Sequence, residues 1–163
     1  MSTLLIKNAR YIVSCDDRDT LYERCNLFIR DSAVEYIGPE SRQADQVIDA
    51  SRMAVYPGLI NTHHHLYQLF SRNLPEVQRM ELFPWLVTLY DVWKNLDEEV
   101  VATSSLVGMA ELLKTGCTTC FDHHYVFPAD SGDLLGAQLA AAQELGIRMY
   151  LSRGSMDLSV KDG

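Results

Sequence analysis

All five histidines of this 163-residue chain lie in two short clusters, each at the end of an apolar stretch. His63, His64 and His65 form the first cluster, and His123 and His124 form the second. Because side chains alternate across a β-strand, His63 and His65 share one side of an extended segment. Neutral imidazole nitrogens bind zinc, and a catalytic zinc site keeps one position open for water. The spacing allows His63 and His65 to bind one metal ion, although histidines with this spacing more often only satisfy hydrogen bonds.

The elements around these clusters alternate between strand and helix from Val55 onwards. The apolar spacing predicts, in order, a strand over 55–65, a helix over 82–96, a helix that Asp97 caps and Gly116 ends, a strand over 117–121, a helix over 134–145 and a strand over 147–151. This alternation is typical of parallel βα units, in which chemical groups lie at the carboxyl ends of the strands. Both histidine clusters are therefore expected at one edge of a parallel sheet.

The region before Tyr56 has a different pattern. Short apolar or β-branched runs occur at Leu4–Ile6, Tyr11–Val13, Leu27–Ile29 and Val34–Ile37, separated by turn-forming residues. They predict a small antiparallel β unit with too few residues for a large core of its own. We therefore expect two domains, over residues 1–56 and 57–163.

Three motifs resemble a known superfamily. Pro57–His65 resembles the metal-binding strand of the amidohydrolase superfamily, in which a Pro-Gly-hydrophobic run ends in His-x-His. The order of the β unit, this strand and Thr115–Asp122 is similar to that of the superfamily's nucleobase and triazine deaminases. Within that group, Asn61–Gln68, Asp122–Tyr125 and Ser152–Asp157 are most similar to the 8-oxoguanine deaminase subgroup.

The resemblance implies an α/β fold: an amidohydrolase-type (β/α)8 TIM barrel of which only the first strands are present, preceded by a small N-terminal β-sandwich domain. It implies one divalent metal ion, zinc or alternatively iron, bound by His63 and His65. The implied reaction is metal-dependent hydrolysis of an exocyclic amino group of a purine-like heterocycle, with release of ammonia. A triazine aminohydrolase or chlorohydrolase, or another cyclic C–N hydrolase, is the alternative within the superfamily.

The length of the barrel region limits what this chain does alone. A closed barrel takes about 250 residues, whereas the stretch from Pro57 to Gly163 suffices for three strands. We therefore expect the front portion of a longer enzyme. The resemblance implies that the proton-transferring Glu and His residues, and a final Asp, follow Gly163, so no catalytic residue is expected within this chain. Alone, it is expected to bind zinc weakly and to be inactive.

Four residues are candidates for substrate binding. Gln68 follows His65 by three positions, where the resemblance to guanine deaminases implies an amide that hydrogen-bonds the purine ring. His123 and His124 are adjacent, so one of them faces the pocket while the other does not, and the sequence leaves open which. Trp93 is a candidate aromatic wall of the pocket, with core packing as the alternative because of its helical spacing.

Three polar residues of the second barrel strand have structural interpretations. Cys117 and Cys120 are three positions apart, so they point to opposite faces of a strand and are expected to pack rather than to chelate jointly. Asp122 is expected to anchor the loop at the strand end, or to orient a ligand histidine.

Composition excludes several classes of partner. The chain has 14 Lys and Arg against 22 Asp and Glu, for a net charge of −8, and lacks a basic block, so a nucleic-acid polymer is not expected. Neither a secretory signal nor an apolar stretch of about 20 residues is expected, which predicts a cytoplasmic protein with reduced cysteines. The expected partner is a small heterocyclic substrate. Unpaired strand edges also suggest a homo-oligomer, or alternatively a non-catalytic remnant that binds another chain through them.

Overall fold

A computed structural model of the chain describes residues 1–155. Met156 and Asp157, the last two residues of the third motif, lie outside the described residues. The chain divides into two compact units, Met1–Pro57 and Gly58–Gly163. Within the described range, none of the helices has the length and apolar character needed to cross a bilayer.

The first unit is one five-stranded sheet. Its strands are β1 (Thr3–Val13), β2 (Leu21–Arg30), β3 (Ala33–Gly38), β4 (Gln46–Asp49) and β5 (Ala54–Val55). The order is β3-β2-β1-β4, and β5 also pairs with β1. The sheet is mixed and not purely antiparallel as predicted, because β4 and β5 both run parallel to β1. The described residues of this unit form a single layer, so the β-sandwich remains a prediction.

The two apolar runs predicted as separate strands at the start of the chain form one strand, β1. Lys7 and Asn8 interrupt the apolar pattern there, but the chain continues past them through a register shift between Ile6 and Ala9. Asn8 has a φ of 59°, in the left-handed region, and its N–H donates to Asn26 Oδ1 at 2.8 Å. Asparagine tolerates this conformation better than most residues, so the polar interruption is a bulge and not a turn.

The second unit alternates strands and helices. Its elements are β6 (Leu59–His64), 3-10 helices at Leu66–Ser71 and Pro75–Val77, α1 (Leu82–Trp93), α2 (Glu98–Lys114), β7 (Cys117–His124), α3 (Leu134–Leu145) and β8 (Arg148–Arg153). The strands form a parallel sheet in the order β6-β7-β8. This arrangement is the α/β architecture of a partial barrel, as predicted.

The boundaries of these elements follow local chemistry. Asp97 accepts a 2.8 Å hydrogen bond from Val100 N–H and so caps α2, as predicted. Gly146 follows α3 with a φ of 70°, which glycine adopts without steric cost, and it ends that helix as predicted. The predicted strand over 55–65 is divided by Pro57: Val55 belongs to β5 and β6 begins at Leu59, because proline has no N–H to donate to a ladder.

The two faces of the β6-β7-β8 sheet differ in burial. On one face, Cys120 packs with helix residues such as Met109 and Ala141 in a buried apolar cluster. On the other face, large side chains remain accessible: Ile60 is 66% exposed, Phe121 39% and Tyr150 67%. We call these the helix face and the open face of the sheet. Residues of each strand divide between them by the alternation of the pleat.

Candidate functional site

His63 and His65 present their Nε2 atoms to each other at the carboxyl end of β6. The two nitrogens are 3.1 Å apart, and the ring planes are nearly perpendicular, with centroids separated by 4.9 Å. Two nitrogens that each lie about 2.05 Å from one tetrahedral zinc ion are about 3.3 Å apart. The observed separation therefore suits two ligands of one ion.

The tautomer of His65 is fixed by a backbone carbonyl. His65 Nδ1 lies 2.8 Å from the carbonyl oxygen of His123, which only accepts hydrogen bonds. Nδ1 therefore carries the proton and donates it, which leaves the lone pair on Nε2, the atom that faces His63. This is the arrangement in which a histidine binds a metal through one nitrogen while its other nitrogen is held by the protein.

His64 lies on the other side of the backbone, next to Asp122 in the register of β6 and β7. Its Nδ1 accepts a 2.9 Å hydrogen bond from the backbone N–H of His65. Burial lowers the pKa of His64, and Asp122 acts in the opposite direction. The neutral ring that accepts this bond is therefore favoured, and His64 holds the backbone between the two candidate ligands.

The second histidine cluster divides between the two faces of the sheet. His123 is exposed, and its ring centroid lies 5.9 Å from that of His65 and 5.6 Å from that of Tyr125. Gly154 lies against it: a Cβ at that position would be 2.7 Å from His123 Nε2 and 2.5 Å from Tyr125 Cβ. The site therefore requires a residue without a side chain at position 154.

His124 is completely buried on the helix face. Its Nδ1 lies 3.1 Å from Gln138 Oε1, and its Nε2 lies 2.8 Å from the carbonyl oxygen of Val126. Burial lowers the pKa of His124, whereas the Val126 carbonyl and Asp122 raise it. Of the two adjacent histidines, His123 is therefore the exposed one, because His124 has both ring nitrogens against protein oxygens.

Gln68 is partly buried, and the hydroxyl groups of two tyrosines fix the orientation of its amide. Gln68 Nε2 donates to the hydroxyl of Tyr67 at 3.1 Å and to that of Tyr125 at 3.0 Å. Both amide protons are thereby used, and Oε1 is the atom that remains for a further partner. Burial raises the pKa of Tyr67, so its hydroxyl stays neutral. The amide therefore presents an acceptor, whereas its sequence position had suggested both an acceptor and a donor.

Trp93 lies in the core, which supports the packing interpretation over the predicted pocket wall. It is 1% exposed, and its indole N–H donates to Ser71 Oγ at 2.9 Å. Its ring packs edge-on against Tyr67, with centroids 5.3 Å apart. Trp93 thus supports Tyr67 from behind, and through it the Gln68 amide.

Cysteine does not extend the histidine pair. Cys117 and Cys120 are buried free thiols, and burial raises the pKa of Cys120 to about 12. Across residues 1–155, the His, Cys, Asp and Glu side chains nowhere form a group of three able to hold a metal ion. Within the described range, the chain therefore offers two candidate ligands and not a closed site.

Three residues of the site were missed in the sequence. Tyr67 and Tyr125 orient Gln68, and Gln138 contacts His124. Tyr125 was detectable, because it follows His123 by two positions and so shares its side of an extended chain. Gln138 carried a weaker signal: it is a polar side chain within the apolar stripe of a predicted helix, and a buried amide requires partners.

The arrangement of parallel strands, helices and a histidine pair at a strand end agrees with comparison to known proteins. The model of the amidohydrolase family matches residues 54–163. The chain belongs to the amidohydrolase family. The chain is 42% identical to 8-oxoguanine deaminase of Pseudomonas aeruginosa, in an alignment that covers 100% of the chain and 36% of that protein.

The names of two further relatives refer to atrazine. The chain is 34% identical to hydroxydechloroatrazine ethylaminohydrolase of Pseudomonas sp., over 100% of the chain and 37% of the relative. Its fold matches the crystal structure of atrazine chlorohydrolase from Arthrobacter aurescens complexed with zinc, with a TM-score of 0.87 and 28% identity over 98% of this chain and 37% of that one. This amidohydrolase chain thus spans little more than a third of the length of these proteins.

Proposed function

We propose that this chain supplies two metal ligands and part of the substrate pocket of a metal-dependent aminohydrolase. The whole protein would remove an exocyclic amino group from a purine-like heterocycle similar to 8-oxoguanine and release ammonia. The observation that carries the proposal is the pair His63 and His65, whose Nε2 atoms lie 3.1 Å apart while His65 Nδ1 is held by the His123 carbonyl. The similarity to 8-oxoguanine deaminase supports the substrate class.

His63 and His65 would hold a divalent ion, with zinc favoured by the imidazole donors and iron as the alternative. When bound, such an ion supplies a Lewis acid that makes water nucleophilic at neutral pH. The chain's own residues prepare that site. The His123 carbonyl keeps the proton on Nδ1 of His65, and the neutral ring of His64 holds the intervening backbone by accepting the His65 N–H.

Gln68 and His123 would contact the substrate. Because the Gln68 amide donates both protons to Tyr67 and Tyr125, its oxygen is the group that meets the heterocycle. An amide oxygen binds a ring N–H or an amino group, so the proposal predicts a substrate with a donor at that position. The His123 ring, whose centroid lies 5.9 Å from that of His65, would be the second polar group in contact with the substrate.

The metal part of the proposal is tested by titrating zinc into the 163-residue chain, its His63→Ala variant and its His64→Ala variant, with a chromogenic chelator as competitor. We expect weak but measurable zinc binding by the chain and a lower affinity in His63→Ala, whereas His64→Ala, whose ring faces away, loses less affinity than His63→Ala does. Equal zinc affinity of the chain and of His63→Ala would contradict the proposal and favour a remnant that binds a partner without metal.

The substrate part requires the whole protein, assayed for ammonia release. The 163-residue chain alone is expected to release no ammonia from 8-oxoguanine, because the side chains of residues 1–155 form no group of three that could hold a metal ion. Ammonia release by the chain itself would contradict that expectation. A whole protein that leaves 8-oxoguanine and related aminopurines unchanged would contradict the purine assignment.

A triazine is the second candidate substrate class. It is favoured by the similarity to hydroxydechloroatrazine ethylaminohydrolase and by the fold match to atrazine chlorohydrolase. Triazines with alkylamino groups also carry N–H donors for the Gln68 oxygen. Steady-state assays of the whole protein against matched aminopurines and aminotriazines separate the two candidates by their values of kcat/KM.

A further inference from the structure

A buried chain of hydrogen bonds crosses the helix face behind the histidine pair. Asp122, His124 and Gln138 are all completely buried. Asp122 Oδ1 accepts from Leu66 N–H at 2.6 Å, and Asp122 Oδ2 accepts from Gln138 Nε2 at 3.1 Å. Gln138 Oε1 then meets His124 Nδ1 at 3.1 Å. These bonds connect the residue after His65, the end of β7 and the middle of α3.

The orientation of the Gln138 amide follows from its neighbours. A carboxylate only accepts hydrogen bonds, so Gln138 must turn its NH2 group towards Asp122 and its oxygen towards His124. Reversing the amide would place its oxygen against the carboxylate, which is costly in a buried site. His124 Nδ1 lies against the Gln138 oxygen and His124 Nε2 lies against the Val126 carbonyl, and a neutral ring donates its single N–H to one of these two oxygens. One side chain of α3 therefore contacts both residues of β7 that flank His123.

The same segment of β7 holds the candidate metal ligand. The carbonyl that accepts from His65 Nδ1 belongs to His123, which lies between Asp122 and His124 in the chain. Both neighbours of His123 are thus anchored on the helix face through Gln138. Anchoring both neighbours restricts the rotation of the planar peptide that joins His123 to His124, and with it the direction of the His123 carbonyl.

We propose that Gln138 is a positioning residue for His65: by anchoring Asp122 and His124 it aims the His123 carbonyl at His65 Nδ1 and keeps the His65 Nε2 lone pair on the open face. The inference rests on the proposed function only in treating His65 as a metal ligand. The hydrogen-bond relay itself belongs to the metal-free chain. Outer partners of ligand histidines typically contribute about 10- to 100-fold to metal affinity.

The first experiment reads the histidine tautomers of the metal-free 163-residue chain by imidazole 15N NMR. In the unmodified chain, we expect His65 to be protonated at Nδ1 and not at Nε2. Finding His65 as the opposite tautomer would overturn the inference without any variant, so this measurement holds even where a substitution prevents folding.

The second experiment replaces Gln138 with methionine, which has a similar volume and removes both bonds. We expect Gln138→Met to mix the two tautomers of His65 and to weaken zinc binding by about tenfold, the lower end of the range for such partners. Gln143→Met, at an exposed position of the same helix, should change neither. Unchanged His65 tautomers in Gln138→Met would overturn the inference.

A third variant separates positioning from general loosening of the fold. Ala141→Gly lies at a buried position of α3 outside the relay and should lower stability while leaving the His65 tautomer in place. An equal tautomer shift in Ala141→Gly would overturn the inference. If the unmodified chain binds no zinc but its tautomers still respond to Gln138→Met, the proposed function fails while the positioning of the ring stands.

Discussion

The five histidines of this chain are chemically identical, yet the two sides of the sheet give them different roles. On the open face, His63 and His65 turn Nε2 atoms towards each other, and His123 lies beside them. Behind them, His64 accepts from a backbone N–H, and His124 has both ring nitrogens against protein oxygens. The difference shows that a histidine's availability for chemistry is set by which of its nitrogens the protein already uses.

The strand pleat produces this division. Neighbouring positions of β7 alternate between faces, so His123 and His124 differ in burial as much as a surface and a core residue do. His64, which is half-buried, and His124, which is buried, each lie next to an exposed histidine in the chain. Structural and chemical histidines are therefore paired along the chain, and substitutions should distinguish the members of each pair.

The largest effect is expected when zinc affinity is compared between a variant of an open-face histidine and a variant of the buried histidine. His65→Ala removes a ligand nitrogen, and we expect zinc affinity to fall by more than about a hundredfold, beyond the loss typical of an outer partner. His124→Ala, compared within its folded fraction, should weaken zinc binding less. Competition with a chromogenic chelator measures both values, and equal losses would contradict the division between the two faces.

Stability should show the reverse order. His124→Ala removes the buried ring that contacts Gln138 Oε1 and the Val126 carbonyl, and we expect the free energy of unfolding to fall by about 3 kcal/mol. His63→Ala changes an exposed ring and should alter it by less than about 0.5 kcal/mol. Urea denaturation followed by circular dichroism compares them. A larger loss in His63→Ala than in His124→Ala would refute the assignment of structural and chemical histidines.

A smaller effect is expected at Gly154, where the backbone closes over His123. A methyl group there would contact Tyr125 Cβ and His123 Nε2 at less than 3 Å, so both must move. We expect Gly154→Ala to lower stability by about 1 to 2 kcal/mol, as overpacking does. It should also shift the His123 imidazole resonances more than those of His124. Unchanged His123 resonances would show that the close approach is relieved elsewhere.

The smallest effect concerns pH and His64. Because burial lowers its pKa below the ordinary 6.5, the folded chain binds this proton less readily than the unfolded chain. The stability contributed by the neutral ring is therefore complete above about pH 6.5 and decreases as the pH falls through that value. Urea midpoints at about pH 7.5 and about pH 5.5 should differ less in His64→Gln than in the unmodified chain. An equal or larger difference would contradict this account.

The sequence was sufficient to predict the alternating elements and the histidine pair, because both depend on local periodicity. Asp97 and Gly146 marked helix ends by their residue types, and the same-side placement of His63 and His65 follows from strand geometry. The parallel pairing of β4 with β1 was not predictable in this way, since short polar-flanked runs carry no signal for strand direction. Local pattern determines elements better than it determines their partners.

The parts of the site that escaped prediction depend on contacts distant in sequence. Burial against α3 encloses His124 and leaves His123 exposed, and two tyrosine hydroxyls fix the donor and acceptor roles of Gln68. The bond from Leu66 N–H to Asp122 spans 56 positions. Such pairs are specified by the tertiary fold, and the type of one residue does not identify its distant partner.

The hydrogen bond between His65 and His123 joins residues 58 positions apart, and this distance has a consequence for folding. Pairing of remote parallel strands is slow, because the entropy of closing the long loop is lost before the contacts form. The helices between β6 and β7 depend on local contacts and can form earlier. We therefore expect the nitrogen pair to be assembled among the last steps of folding, so that in a nascent chain the two Nε2 atoms meet only after the sheet has closed behind them.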